Sequence, residues 1–151
     1  MTTTTSDMLM ARGLASVPLE MRRLHRWARA EGKRPVQPSG LPADPRDPGT
    51  WSAYGDVLTG AGDGLGIMLG DGLACYDFDA FMVLERMPEL LDVIKEPIVY
   101  AEATTEGTGL HVFVHSTVPG HSVSLGNIYD RVEFWSSRRF VRLTGRMKAM
   151  A

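Results

Sequence analysis

Two aspartates one residue apart, Asp77 and Asp79, close the run Leu73-Ala74-Cys75-Tyr76-Asp77-Phe78-Asp79. The apolar, aromatic start of that run reads as a buried strand that delivers two acids at its end. Side chains alternate along a strand, so both carboxylates leave one face with their backbones roughly 7 Å apart. Like charges that close repel each other, and a divalent cation between them is the simplest remedy. Hard oxygen ligands suit Mg²⁺ or Mn²⁺, which keep positions open for phosphate oxygens. The competing structural reading makes Asp79 the cap of a following helix and Asp77 the partner of an arginine.

Two further residues have the chemistry to join them. Glu133 lies in the strand-like run Arg131-Val132-Glu133-Phe134-Trp135, where an unpaired acid is costly. It reads either as a third metal ligand or as the cross-hairpin partner of Arg142. His111 opens the apolar run Leu110-His111-Val112-Phe113-Val114-His115, just after Gly107-Thr108-Gly109. A structural histidine is one reading; the other is a phosphate contact, because glycines let an anion approach the backbone closely.

The elements that must position these groups follow from periodicity. Pro18 suits the first turn of a helix whose buried side would carry Leu19, Met21, Leu24 and Trp27. Glu31-Gly32 can turn a hairpin, with Lys33 just past the turn and Pro35 placing the second strand at a sheet edge. Pro38 to Pro48 reads as a loop, and Thr50 as the N-cap of a short helix from Trp51 to about Leu58. Leu65 to Leu69 reads as a strand joined through Gly70-Asp71-Gly72 to the strand bearing Asp77, as an antiparallel hairpin. A helical pattern runs from Phe81 to Glu96, with Pro88 opening a second piece. Strands follow at Ile98–Glu102 and Leu110–His115, then a terminal hairpin pairs Arg131–Trp135 with Phe140–Thr144 around residues 136–139. Strands and helices in mixed order, with several hairpins, predict an α+β domain: a mixed, largely antiparallel sheet with packed helices.

Composition sets the outer bounds. At 151 residues, 44% hydrophobic and 23% charged, the chain is expected to fold as one domain over residues 16–151, after a disordered or loosely packed segment 1–15. No apolar run reaches the roughly 18 residues of a membrane span and no signal-peptide pattern opens the chain, so no membrane partner and a cytoplasmic location are expected. The single cysteine, Cys75, excludes an internal disulfide and reads as a small core residue. The net charge of −2 hides a segregation: residues 1–46 hold eight Lys and Arg against four acids, 47–133 three against fourteen, and 134–151 five against none. Basic ends folded over an acidic centre would give a carboxylate site rimmed by cations, suited to a polyanion plus metal.

The ordered set Lys33-Arg34-Pro35, Asp47-Pro48-Gly49-Thr50-Trp51, Gly64-Leu65-Gly66, Asp77-Phe78-Asp79, Gly107-Thr108-Gly109-Leu110-His111, Val132-Glu133 and Arg139-Phe140 through Thr144-Gly145 resembles the archaeo-eukaryotic primase superfamily. The likeness is to the bifunctional primase-polymerase domains of phage and plasmid replication proteins, over roughly residues 20–146. That resemblance implies a catalytic core containing a modified RNA-recognition-motif-like half. The activity it implies is DNA primase and DNA polymerase: nucleotidyl transfer from a dNTP or NTP to a 3′-hydroxyl on a DNA template, with two Mg²⁺ or Mn²⁺ ions. Asp77, Asp79 and Glu133 correspond to the metal-binding carboxylates. His111 corresponds to the histidine that contacts the incoming triphosphate; Arg139, Lys33, Thr108, Gly109 and Arg142 are the accompanying phosphate-binding candidates. The resemblance also implies that the chain is a piece of a longer replication protein that continues into a helicase, acting in the host cytoplasm if phage-encoded.

Two rival readings make different demands. A metal-dependent endonuclease of rolling-circle type would use His111 and His115, which share strand parity, and a nucleophile from Tyr54, Tyr76, Tyr100 or Tyr129. A non-catalytic nucleotide or single-strand binding module would present exposed aromatics as stacking platforms.

Overall fold

Among the described residues there are nine strands: β1 (Trp27–Glu31), β2 (Arg34–Val36), β3 (Gly64–Met68), β4 (Leu73–Phe78), β5 (Ile98–Ala103), β6 (Leu110–His115), β7 (His121–Ser124), β8 (Arg131–Trp135) and β9 (Phe140–Leu143). The same described residues hold two short helices, α1 (Leu19–Arg22) and α2 (Met87–Val93), and two single 3₁₀ turns. The computed structural model describes residues 16–78, 87–124 and 131–148, a mixed α+β chain with two antiparallel sheets. Asp79, Tyr129 and the N-terminal segment 1–15 lie outside the described residues. The chain divides into two compact units, one of residues 1–69 and 138–145, the other of residues 70–137 and 146–151.

The first unit holds the sheet β2-β1-β3-β9. Gly32, at φ +62°, makes the β1–β2 turn, and Pro35, which has no N–H to give, sits in the edge strand as expected. Gly66 pairs with Ala28 on one side and Arg142 on the other. A Cβ there would lie 2.3 Å from the Val141 carbonyl oxygen, so only glycine permits this packing. Arg29 is 1% exposed in the middle of β1. It donates to the carbonyls of Ala61 (2.8 Å), Val57 (3.1 Å) and Gly60 (3.2 Å), and so organises the connection that feeds β3.

Arg142 fixes the far end of the same sheet. Its guanidinium donates to the Gly32 carbonyl (2.7 Å) and to Asp63 Oδ1 (2.8 Å), and the same Asp63 oxygen accepts the Gly32 N–H (3.0 Å). The Arg142 hydrogen bond, opposed by burial and assisted by the Gly32 N–H and the guanidinium charge, holds the Asp63 carboxyl below its ordinary 3.8. Because the folded-state value is depressed, the pair contributes stability above the ordinary carboxylate range and loses it as acid protonates Asp63 in the folded protein. With Asp63 66% exposed, that contribution is about 0.2–1 kcal/mol. Urea unfolding of wild type and Asp63→Asn is expected to differ by this amount at pH 6 and to converge well below pH 3.8; a gap that persists in acid contradicts the assignment.

The second unit holds the sheet β5-β6-β4-β8-β7. Alternation along β4 sends Ala74, Tyr76 and Phe78 to one face. There they join Leu110, Val112 and Val114 of β6, Val132 and Phe134 of β8 and Ala101 of β5 in a core packed by Val93 and Ile94 at the end of α2. The opposite face receives Cys75 and Asp77. Cys75 is 1% exposed and in no disulfide, the small core residue expected.

Four local expectations are corrected. The helix after Pro18 is one turn, and Trp27 belongs to β1, where its indole N–H donates to the Met21 carbonyl at 3.1 Å. No helix spans Trp51 to Leu58: Asp47, not Thr50, caps a 3₁₀ turn over Pro48–Thr50, and a second turn covers Tyr54–Val57. Ser52 exchanges backbone hydrogen bonds with Trp27 (2.7 and 2.9 Å), which pulls the chain between the turns into an extended form. The turn at Gly70-Asp71-Gly72 exists, closed by reciprocal Gly70–Leu73 hydrogen bonds of 3.0 Å, yet β3 and β4 do not pair. Each already has partners on both edges, β1 and β9 for β3, β6 and β8 for β4. β8 likewise has both edges taken, by β4 and β7, while β9 pairs with β3, so β8 and β9 form no hairpin.

Candidate functional site

The register of the second sheet places five residues from five strands in one row. Asp77 on β4 stands directly opposite His111 on β6 and Glu133 on β8; His111 stands opposite Glu102 on β5, and Glu133 opposite Ser122 on β7. Directly opposed residues of antiparallel strands share a face, so the row Glu102, His111, Asp77, Glu133, Ser122 runs across the sheet on the face away from the core around Tyr76 and Phe78. A parallel row of Tyr100, Phe113, Cys75 and Trp135 lies beside it. Exposure rises along the polar row: Glu102 is 0% exposed, the side chains of His111 and Asp77 18% and 33%, and Ser122 is at the surface.

The electrostatics of the row centre on Asp77 and Glu133. Two carboxylates directly opposed on adjacent strands have Cβ atoms roughly 4.5–5.5 Å apart, and like charges so placed destabilise a sheet. Each is met by a different neighbour. Asp77 Oδ1 lies 3.4 Å from His111 Nε2, too long for a good hydrogen bond but close enough for electrostatic attraction to a charged ring. Glu133 accepts the Ser122 hydroxyl, with both carboxylate oxygens 2.8 Å from Ser122 Oγ. The cross-hairpin bridge from Glu133 to Arg142 does not form: Arg142 is engaged by Gly32 and Asp63.

The donor types in the row, carboxylate and imidazole, are ones that could bind a divalent cation. Two carboxylates share one partly exposed face, an imidazole flanks them, and the repulsion between the acids is of the kind a cation relieves. Among the described residues no group of three or more His, Cys, Asp and Glu side chains is spaced to hold a metal ion. The remaining expected ligand, Asp79, lies outside the described residues.

The turn that delivers His111 is closed by hydrogen bonds within its own residues. The Gly109 N–H donates to Thr104 Oγ1 (3.1 Å), the Gly107 N–H to the Thr104 carbonyl (2.9 Å), and the Thr104 N–H to the Gly109 carbonyl (3.1 Å). A Cβ at Gly109 would come within 2.8 Å of the Phe78 carbonyl oxygen, so glycine lets the turn close against the end of β4. Arg146 braces the turn by donating to the carbonyls of Thr104 and Thr105. Thr108 is exposed at its tip, whereas Gly109 is buried. Of the other phosphate-binding candidates, Lys33, Arg139 and Arg142 belong to the first unit. Lys33 is exposed in the β1–β2 turn and Arg139 exposed before β9, where its carbonyl accepts the Leu69 N–H at 2.9 Å.

Sequence reading overlooked Ser122 and Glu102. The strand that places Ser122 is only four residues long, and its one signal is the pattern His121-Ser122-Val123-Ser124 after Pro119-Gly120. Glu102 fell within an expected strand, but nothing local marks an acid as buried; its level with His111 is a property of pairing.

Several observations bear on the rival readings. His111 and His115 lie four residues apart on one strand, about 13 Å, too far to share one ion. The Tyr76 hydroxyl is on the core face, 2.6 and 3.0 Å from the two oxygens of Glu96; burial first, then the Glu96 carboxylate, push its pKa well above the usual phenol range. The Tyr100 hydroxyl donates to buried Glu102 at 3.0 Å, and Tyr54 packs edge-on to Trp27 in the first unit. Among the described residues the exposed large hydrophobics are Leu19, Leu41, Ile98, Val118 and Met147, none of them aromatic. No helix there is long and apolar enough to cross a membrane. Compared with protein-family models and with curated proteins, the chain matches none.

Proposed function

We propose that the chain is the catalytic domain of a metal-dependent DNA primase-polymerase, of the kind found in phage and plasmid replication proteins, transferring nucleotidyl groups from a dNTP or NTP to a 3′-hydroxyl on a DNA template. The observation that carries this reading is the register of β4, β6 and β8, which aligns Asp77, Glu133 and His111 on one sheet face from distant points of the sequence. The sequence resemblance to archaeo-eukaryotic primases names the same three residues, and a primase-type core is the finer form of the α+β architecture we propose.

Asp77 and Glu133, joined by Asp79, would hold the divalent cations. Such ions make an attacking hydroxyl more acidic and neutralise a leaving pyrophosphate. The chain's own groups position and neutralise. His111, held beside Asp77 and preceded by a braced turn, donates to an oxygen of the triphosphate. Thr108 at the turn tip and Gly109 beneath it are the remaining groups of this unit proposed to meet phosphate. DNA template and primer are the partners, and a helicase in the same full-length chain is the proposed context.

Extension of a labelled primer by the purified chain tests the reading. Incorporation is expected with Mn²⁺ or Mg²⁺ and none with chelator. A stable covalent protein–DNA adduct would favour the endonuclease, and nucleotide binding without turnover the binding module.

A further inference from the structure

Glu133 reaches the site from a strand with a neighbour on each side: β4 brings Asp77, and β7 brings Ser122. The Ser122 hydroxyl has one proton, yet its oxygen lies 2.8 Å from both Glu133 oxygens. Either carboxylate oxygen can therefore turn away while the other keeps the hydroxyl. This arrangement suits a carboxylate that gives one oxygen to a cation and the other to a supporting donor, the usual way a ligating acid is oriented. A lone Glu133 beside Asp77 would rotate away from the like charge; the Ser122 hydrogen bond stabilises its charge and fixes its plane on the shared face.

We infer that Ser122 is a positioning residue that sets the affinity of the Asp77–Glu133 pair for a divalent cation. The inference rests on the metal-binding reading of that pair and adds to it a residue on a strand the sequence did not reveal. Ser122 acts through Glu133, with the hydroxyl as the active feature. Threonine can supply the same hydroxyl and favours strands, whereas alanine removes it from an exposed position where the fold loses little.

The test is direct titration of the purified chain with Mn²⁺, read as loss of the free-ion signal in electron paramagnetic resonance, without nucleotide or DNA. Ser122→Ala is expected to weaken Mn²⁺ binding about tenfold, and Ser122→Thr to bind within about threefold of wild type, with circular dichroism unchanged in both. Equal binding by Ser122→Ala and wild type overturns the inference while leaving the metal site standing. So does a threonine variant as weak as the alanine one, which would assign the effect to packing. If wild type and Asp77→Asn both fail to take up Mn²⁺, the metal-binding reading falls and the role of Ser122 falls with it.

Discussion

Asp77→Asn is expected to leave the fold standing and to lower metal-dependent nucleotide incorporation about a thousandfold or more. The amide keeps the shape of the side chain, and Asp77 is only partly buried, so packing in β4 changes little. Any loss of the His111 contact at 3.4 Å is offset by removal of a like charge directly opposite Glu133. Each effect is worth about 0.2–1 kcal/mol, so stability should stay within about 1 kcal/mol of wild type. Activity behaves differently, because a bound cation stabilises developing charge by several kcal/mol and each 1.36 kcal/mol or so is tenfold in rate. Urea unfolding and primer extension on the same preparation separate the two outcomes. A folded variant that extends primers within tenfold of wild type contradicts the role given to Asp77.

Arg29→Met is expected to be the most destabilising single change in the first unit, costing about 3 kcal/mol or more. Methionine can fill the volume of the aliphatic stem but donates nothing to the carbonyls of Val57, Gly60 and Ala61. Breaking a buried charged network from one side typically costs about 3–5 kcal/mol, because the remaining polar groups lose their partners. Lysine should recover only part of the loss, since one ammonium cannot reproduce the planar fork of donors. The same connection depends on Gly62, at φ +80° with an added Cβ 2.2 Å from the Ala30 carbonyl oxygen, so Gly62→Ala should lower the urea midpoint as well. A midpoint for Arg29→Met equivalent to less than about 1 kcal/mol would show that the connection is held by other contacts.

Strand positions were legible in the sequence because alternation and turn residues are local signals. β6 falls at Leu110–His115 as expected, β1 and β2 flank the Gly32 turn, and Pro35 marks the edge. Pairing was not legible. Gly70-Asp71-Gly72 has the composition of a hairpin turn, but whether its flanking strands pair depends on which edges β1, β9, β6 and β8 have already taken, and those segments are remote in sequence. The overestimated helix at Trp51 to Leu58 failed in the same way, since the hydrogen bonds between Ser52 and Trp27 outweigh a weak local helical preference. The same dependence on pairing hid part of the candidate site. Asp77 and His111 stood out by residue type and neighbours, and Glu133 remained open between a metal ligand and an arginine partner. Ser122 and Glu102 became visible only once the register set them level with Glu133 and His111.

The central claim is that Asp77 and Glu133, opposed across β4 and β8, hold the same ion. Mn²⁺ binding to wild type, Asp77→Asn, Glu133→Gln and the double variant, measured by electron paramagnetic resonance in one double-mutant cycle, tests it most directly. Two ligands of one ion should each cost most of the affinity alone, with the double variant little weaker than either single. Undiminished binding by Glu133→Gln, or losses that simply add, would mean that the two carboxylates do not share a cation.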